Sequence, residues 1–195
     1  MTRKENIAKM IRIVTTPPIL ITALILILSM SRDDIFRGMG EILMSILLLG
    51  MVPVLAYPLQ RILPGWKEGG REGQRNLAFV LNLAGYMSAL ILGYLSGAGK
   101  NLKLIDITYF LSVVILTAFN KFIHIRASGH ACGVTGPLLL LLYFTGWAAL
   151  IPCLAMAAAI VWSSLELKRH TRQELAYGAG TCLIAFFSAR WILGI

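Results

Sequence analysis

The sequence predicts an all-α integral membrane protein, a single bundle of six to seven transmembrane helices. Three observations lead there. Of the 195 residues 57% are hydrophobic and only 14% are charged, whereas ordinary soluble domains are about a quarter charged. The apolar residues fall into runs close to the roughly 20 residues that a helix needs to cross the hydrocarbon layer. The charges gather in short segments between those runs. Helices are expected because unpaired backbone groups are too costly in lipid, and the two-residue alternation of a membrane barrel is missing.

Residues 1–16 (MTRKENIAKMIRIVTT) read as a basic, partly amphipathic segment at the membrane surface. No small-residue cleavage site follows the first apolar run, so this is not expected to be a cleaved signal. The first helix is expected from about Pro18 to Met30. The second runs from Glu41 to Gln60, with kinks at Pro53 and Pro58. The third spans Leu77 to Ser96 and the fourth Leu104 to Ile123. The fifth runs from Gly129 to Trp147 and is expected to bend at Pro137. The sixth covers Ala149 to Leu165 and the last Thr171 to Leu193. Residues 1–195 form one domain, with no internal repeat and no linker.

The net charge is +9. Because it sits in loops beside apolar spans, anionic lipid or phosphate is the expected partner, and nucleic acid is not. Cys132, Cys153 and Cys182 lie within apolar segments without metal-ligand spacing, and read as packing residues. One set of helix ends carries Arg3, Lys4, Lys9 and Arg12, then Arg61, Lys67, Arg71 and Arg75, then Lys121 and Arg126, then Lys168, Arg169 and Arg172. The opposite ends carry Arg32, Arg37, Lys100, Lys103 and Arg190, with Asp33 and Asp34. The positive-inside rule puts the first set in the cytoplasm of a cell (inner or plasma) membrane.

Three polar clusters then share that face: Lys67–Asn76, Lys121–His130 and Ser163–Glu174. Cations run through all three, and the second and third each contribute a histidine. Guanidinium groups match phosphate oxygens in pairs. A helix beginning at Ser128-Gly129 points free N–H groups at an anion, and Gly129 allows close backbone approach. A neutral imidazole can attack phosphorus, and a protonated one can donate to the departing oxygen. Glu174 follows His170 by four residues, one helical turn, and can hold its ring.

Ser128-Gly129-His130 followed by His170-Thr171-Arg172-Gln173-Glu174 resembles the type 2 phosphatidic acid phosphatase superfamily, the membrane lipid phosphate phosphatases. That family's pattern is Lys-x6-Arg-Pro, then Pro-Ser-Gly-His, then Ser-Arg-x5-His-x3-Asp, and the likeness covers Lys67 to Gly180. The resemblance implies that His170 is the nucleophile of a phosphohistidine mechanism and Glu174 its orienting acid. It implies that His130 protonates the leaving group and that Ser128 and Gly129 bind phosphate oxygens. It also implies no cofactor and no metal, which agrees with clusters of cations where Mg²⁺ would need carboxylates.

The chain departs from the pattern. Ala127 stands for Pro, Glu174 for Asp, and Ser163-Ser164 for Ser-Arg, which removes a phosphate-binding arginine. Arg126, Arg169 or Lys121 are the candidates to replace it. Lys67, Arg71 and Arg75 supply cations where the first motif belongs, with different spacing and Asn76 for Pro. Plainer readings stand beside these: Ser128-Gly129 as an ordinary helix cap, His124 as an interfacial residue, Lys168-Arg169 as a membrane anchor. The expected function is hydrolysis of a lipid phosphate or diphosphate: phosphatidate, phosphatidylglycerol phosphate, or an isoprenyl phosphate or diphosphate. The alternative is a non-enzymatic or inactive lipid-headgroup-binding membrane protein. An intramembrane protease built on Ser128 lacks a second motif. Oligomeric state is left open.

Overall fold

Pro17 and Pro18 decide how the chain enters the bundle. A residue before proline is kept out of helical conformation, while proline itself suits a first helical turn. Helix α1 (Arg3–Val14) accordingly ends, Thr16 is extended, and α2 (Pro17–Ser31) starts with Pro17 as its first residue. The two helices meet at a bend of 53°. The structure, a computed structural model, describes residues 2–195, with only the backbone of Arg71.

The remaining elements follow the apolar runs. Helix α3 (Met39–Ser45) passes through a π-helical turn at Ile46–Met51 into α4 (Val52–Val54) and α5 (Ala56–Ile62). The expected kink at Pro53 takes this form: proline has no N–H to donate, and the register slips so that Val52 N–H bonds to the Leu47 carbonyl, five residues back. Then come α6 (Gly70–Leu95), α7 (Lys100–Thr117) with a second π turn at Ala118–Phe122, α8 (Gly129–Thr145), α9 (Leu150–Glu166) and α10 (Arg172–Leu193). No strand occurs among the described residues. Helix α6 begins seven residues before the expected Leu77, so part of the Lys67–Asn76 cluster is helical and not loop. The segment expected to be a surface lead-in is a helix of its own, packed on α9 with Ala8 fully buried.

Four helical stretches are long and apolar enough to cross a membrane, and six if each bent pair counts as one span. One of the four, Gly129–Glu166, is not a single rod. Its 38 residues would reach about 57 Å, well beyond a hydrocarbon layer. Gly146 has φ +65° between α8 and α9. Cys153 of α9 donates its thiol to the Leu138 carbonyl of α8, and Val134 packs with Ile160. The two helices therefore lie antiparallel.

The core is built from α2, α7, α8 and α10, where Leu24, Ile25, Leu104, Ile105, Leu140 and Phe186 are almost completely buried. Lipid is as apolar as these side chains, so helix association in a membrane relies on close packing more than on the hydrophobic effect. Two glycines set that closeness. A Cβ at Gly178 of α10 would lie 2.3 Å from the Ser128 carbonyl oxygen, and one at Gly133 of α8 would lie 2.8 Å from the Pro17 ring. The approach at Gly178 brings the first turns of α8 and α10 together.

Gly178→Ala is expected to destabilise the protein by about 1–3 kcal/mol, the usual cost of overpacking. Gly180→Ala has open space around its new methyl group and is expected to be neutral or stabilising, because alanine favours the helix. Thermal unfolding in detergent checks both, and equal behaviour of the two variants contradicts this account of α8–α10 packing.

Candidate active site

The sequence His170-Thr171-Arg172-Gln173-Glu174 folds as a helix start in which one carboxylate serves several donors. Thr171 is the N-cap of α10. Its Oγ1 accepts from Glu174 N–H at 3.2 Å, and Glu174 Oε2 accepts from Thr171 N–H at 3.3 Å. This reciprocal capping box needs a side chain long enough to reach back from the third helical position, as Glu is. The same Oε2 lies 3.0 Å from His170 Nδ1. The other oxygen, Oε1, pairs with Arg126 Nε at 3.2 Å. Holding Nδ1 in this way leaves Nε2 as the ring nitrogen open to chemistry.

Just before this turn, Lys168 adopts a positive φ of 50°, and Arg169 N–H closes onto the Ser164 carbonyl at 3.1 Å. The tight reversal ends α9 and presents Arg169 and His170 on one side. At the neighbouring helix start, Ser128 caps α8, its Oγ accepting from Ala131 N–H at 3.2 Å. Ser128 N–H donates to the Glu174 carbonyl at 2.9 Å. The two helix starts are thus joined backbone to backbone. Helix geometry leaves the first-turn N–H groups of Gly129 and His130 without intrahelical acceptors.

His130 and His170 line one cavity of about 360 Å³ with Arg12, Arg75, Arg126 and Gly129. Its inner wall is apolar or weakly polar, including Pro17, Pro53, Phe79, Tyr86 and Leu116. His130 Nε2 is buried and has no hydrogen-bond partner among the described residues, a costly condition unless something fills it. A wider basin shares Arg12, Arg126 and His170 with this cavity and is lined as well by Lys9, Lys168 and Arg169 and by the acids Glu5 and Glu166.

The sequence expectations divide here. His130, His170, Gly129, Arg75 and Arg126 share the cavity, and Glu174 holds His170 as anticipated. Arg169 lines the outer basin. Ser128 is not among the cavity's residues: it is 1% exposed, its Oγ accepts from Ala131 N–H, and its own N–H donates to the Glu174 carbonyl. Neither is Lys121, whose Nζ donates to Asn76 Oδ1 at 2.8 Å. Lys67 lines neither the cavity nor the basin. The Arg71 side chain lies outside the described residues. His124, with φ 60°, is exposed in the loop.

The residue that sequence reasoning missed is Arg12. The N-terminal basic residues stood outside the expected site, yet α1 carries Arg12 into the cavity, where Nη1 lies 3.4 Å from Ser164 Oγ. Ser164 itself is fully buried. At the position where the resembled pattern has an arginine, the Ser164 hydroxyl accepts from an arginine 152 residues away in sequence. A basic residue one turn before a Pro-Pro helix start was the available signal, and only the 53° bend gives it meaning.

Burial pushes the His170 imidazole below its ordinary value, hydrogen bonding and charge from Glu174 push it back up, and Arg12 and Arg126 push it down. Among the described residues no group of three or more His, Cys, Asp or Glu side chains could hold a metal ion. Compared with protein-family models, curated proteins and solved structures, the chain matches none.

The His170 titration follows from these neighbours. Its midpoint is expected below the ordinary histidine value of about 6.5. Glu174→Gln removes the negative charge that favours the imidazolium, so the midpoint falls further, while Arg12→Gln raises it. NMR of histidine-labelled protein reads all three, and a rise in Glu174→Gln contradicts the assigned geometry.

Proposed function

We propose that this protein is a membrane-embedded phosphatase acting on a lipid phosphate or diphosphate through a phosphohistidine at His170. The observation that carries the reading is the pairing of two histidines in one arginine-lined cavity, one ring held by a carboxylate and the other with an unsatisfied nitrogen. The likeness of the two histidine segments to the type 2 phosphatidic acid phosphatases supports it.

In the proposed first step, His170 Nε2 attacks phosphorus while Nδ1–H stays donated to Glu174. The N–P bond forms and the P–O bond to the lipid breaks. His130 gives its proton to the departing oxygen. The positive charge that develops on the His170 ring is balanced by Glu174, and the charge on the phosphoryl oxygens by Arg12, Arg75 and Arg126 with the Gly129 N–H. In the second step a water oxygen attacks phosphorus, His130 takes the water's proton, and the N–P bond breaks to release phosphate. No metal or cofactor takes part. The apolar inner wall accepts the part of the lipid next to the phosphate, and the rest of the tail stays among the helices.

The topology in this reading is seven passes, because α8 and α9 cross separately, with the site at the end where α6, α8 and α10 begin. That end faces the cytoplasm. Phosphatidate, phosphatidylglycerol phosphate and isoprenyl phosphates or diphosphates are the substrate classes that fit a basic mouth over an apolar wall.

Phosphate release from purified protein against a panel of these lipids, with and without chelator, tests the function. Release that chelator leaves unchanged is expected, falling to background in His170→Ala and His130→Ala and by about 10²-fold in Arg12→Ala. Full activity in a folded His170→Ala variant contradicts the mechanism. Tight headgroup binding without release from any lipid favours the non-enzymatic alternative. Orientation is read by labelling single cysteines at Gly69 and Gly99 in intact cells: Gly69 is expected to react from inside alone, and labelling of Gly69 only from outside overturns the orientation.

A further inference from the structure

The opposite end of the bundle holds a second cavity, of about 530 Å³, between α3, α6 and α7. Most of its wall is apolar, with Met44, Leu48, Ala89, Leu92 and Leu102. Asp106 also lines it, six residues into α7 and therefore about 9 Å below the start of that helix. Asp106 is 2% exposed, and its Oδ1 has no hydrogen-bond partner among the described residues. The other oxygen reaches α6 at Gly93, where an added Cβ would lie 2.9 Å from Oδ2.

The nearby cations are committed elsewhere. Arg37 is bound to Glu41, the second acid lining the cavity, with backbone N–H and Nε each at 2.7 Å. Lys103 Nζ lies over the Tyr94 ring at 4.6 Å, and Arg32 pairs with Asp34 at 2.7 Å. Asp106 Oδ1 thus has acceptor capacity that no donor among the described residues meets. A buried acid within a membrane-crossing helix is costly, and such residues mark places where something polar binds or passes. Met44, Leu92 and Leu95 line the cavity and are also exposed on the outer surface of the helices. The cavity therefore opens sideways toward lipid.

We propose that this cavity is a binding site for an amphiphile with a primary ammonium head and an apolar chain. The ammonium supplies donors and a positive charge to Asp106, with the Ser45 hydroxyl and Glu41 beside it. The chain lies along Leu48 and Leu92 and leaves between α3 and α6. An anionic head is repelled by Asp106, Glu41 being paired with Arg37, and an alcohol brings one donor without charge. The proposal is independent of the phosphatase reading, since no residue is shared with the cavity around His170.

The test is equilibrium binding of radiolabelled dodecylamine to the protein in phosphatidylcholine nanodiscs, with dodecanol and dodecanoate as competitors. Saturable binding is expected, with both competitors weaker than unlabelled amine by at least about tenfold. Asp106→Asn is expected to weaken binding by a similar factor. Met44→Trp, which fills the cavity without touching the acid, is expected to abolish it, and His170→Ala to leave it unchanged. Competition by dodecanol as strong as by the amine overturns the proposal, and so does wild-type binding in a folded Asp106→Asn variant. If Asp106→Asn does not fold, Met44→Trp decides: unchanged binding there overturns it.

Discussion

The carboxylate of Glu174 is the group on which the candidate site depends. It completes the helix cap with Thr171, holds His170 by Nδ1 and pairs with Arg126. Its backbone carbonyl also accepts the N–H of Ser128, so the same residue joins the start of α10 to the start of α8. A helix cap is ordinarily worth about 1 kcal/mol. Here the cap also sets which nitrogen of His170 is free. The ion pair with Arg126 adds little stability by itself, because Arg126 is 73% exposed and exposed pairs are weakened by solvent. Its value is positional: it places a guanidinium beside the imidazole.

This geometry gives the glutamate at position 174 a role of its own. Glutamate at position 174 is one methylene longer than the aspartate of the pattern it resembles. At the third position of a helix, that extra length lets it reach the N-cap N–H while still touching the histidine. The change at Ser164 has a comparable account. The hydroxyl is too short to meet an anion, but it contacts the guanidinium of Arg12. Where the resembled pattern has an arginine, this chain has the serine that contacts Arg12.

Much of the fold was legible because lipid imposes a simple rule on sequence. Apolar runs ended where helices end, and α8 through α10 start and stop within a few residues of expectation. The His170 segment was legible for a local reason, since Glu174 lies four residues on and the capping turn at Thr171 brings its carboxylate back to the ring. What was not legible depends on approach between distant segments. Arg12 reaches the cavity only because Pro17 bends the chain and Ala8 fits closely against α9. Lys121 and Ser128 looked like phosphate ligands, but neither is among the cavity's residues; Lys121 donates to Asn76 and Ser128 caps α8. Composition cannot show such competition, because each residue has several partners of equal chemical merit. The break inside the 38-residue apolar stretch was legible by contrast: one helix was expected to end at Trp147 and the next to begin at Ala149, and the chain reverses at Gly146.

The two ends of the bundle differ in what their polar groups do. At the far end Asp34 ties Arg32 and Asn101 together and closes the loop before α3. At the other end arginines surround two imidazoles without being fully paired by acids. The central claim is that His170 becomes covalently phosphorylated. The most direct measurement is rapid acid-free quenching of protein mixed with ³²P-labelled phosphatidate, followed by peptide mapping. The account predicts an acid-labile, base-stable label on the peptide containing His170, formed faster than phosphate is released and lost in His170→Ala. Turnover of the lipid with no label on that peptide, or with label on a serine, contradicts it.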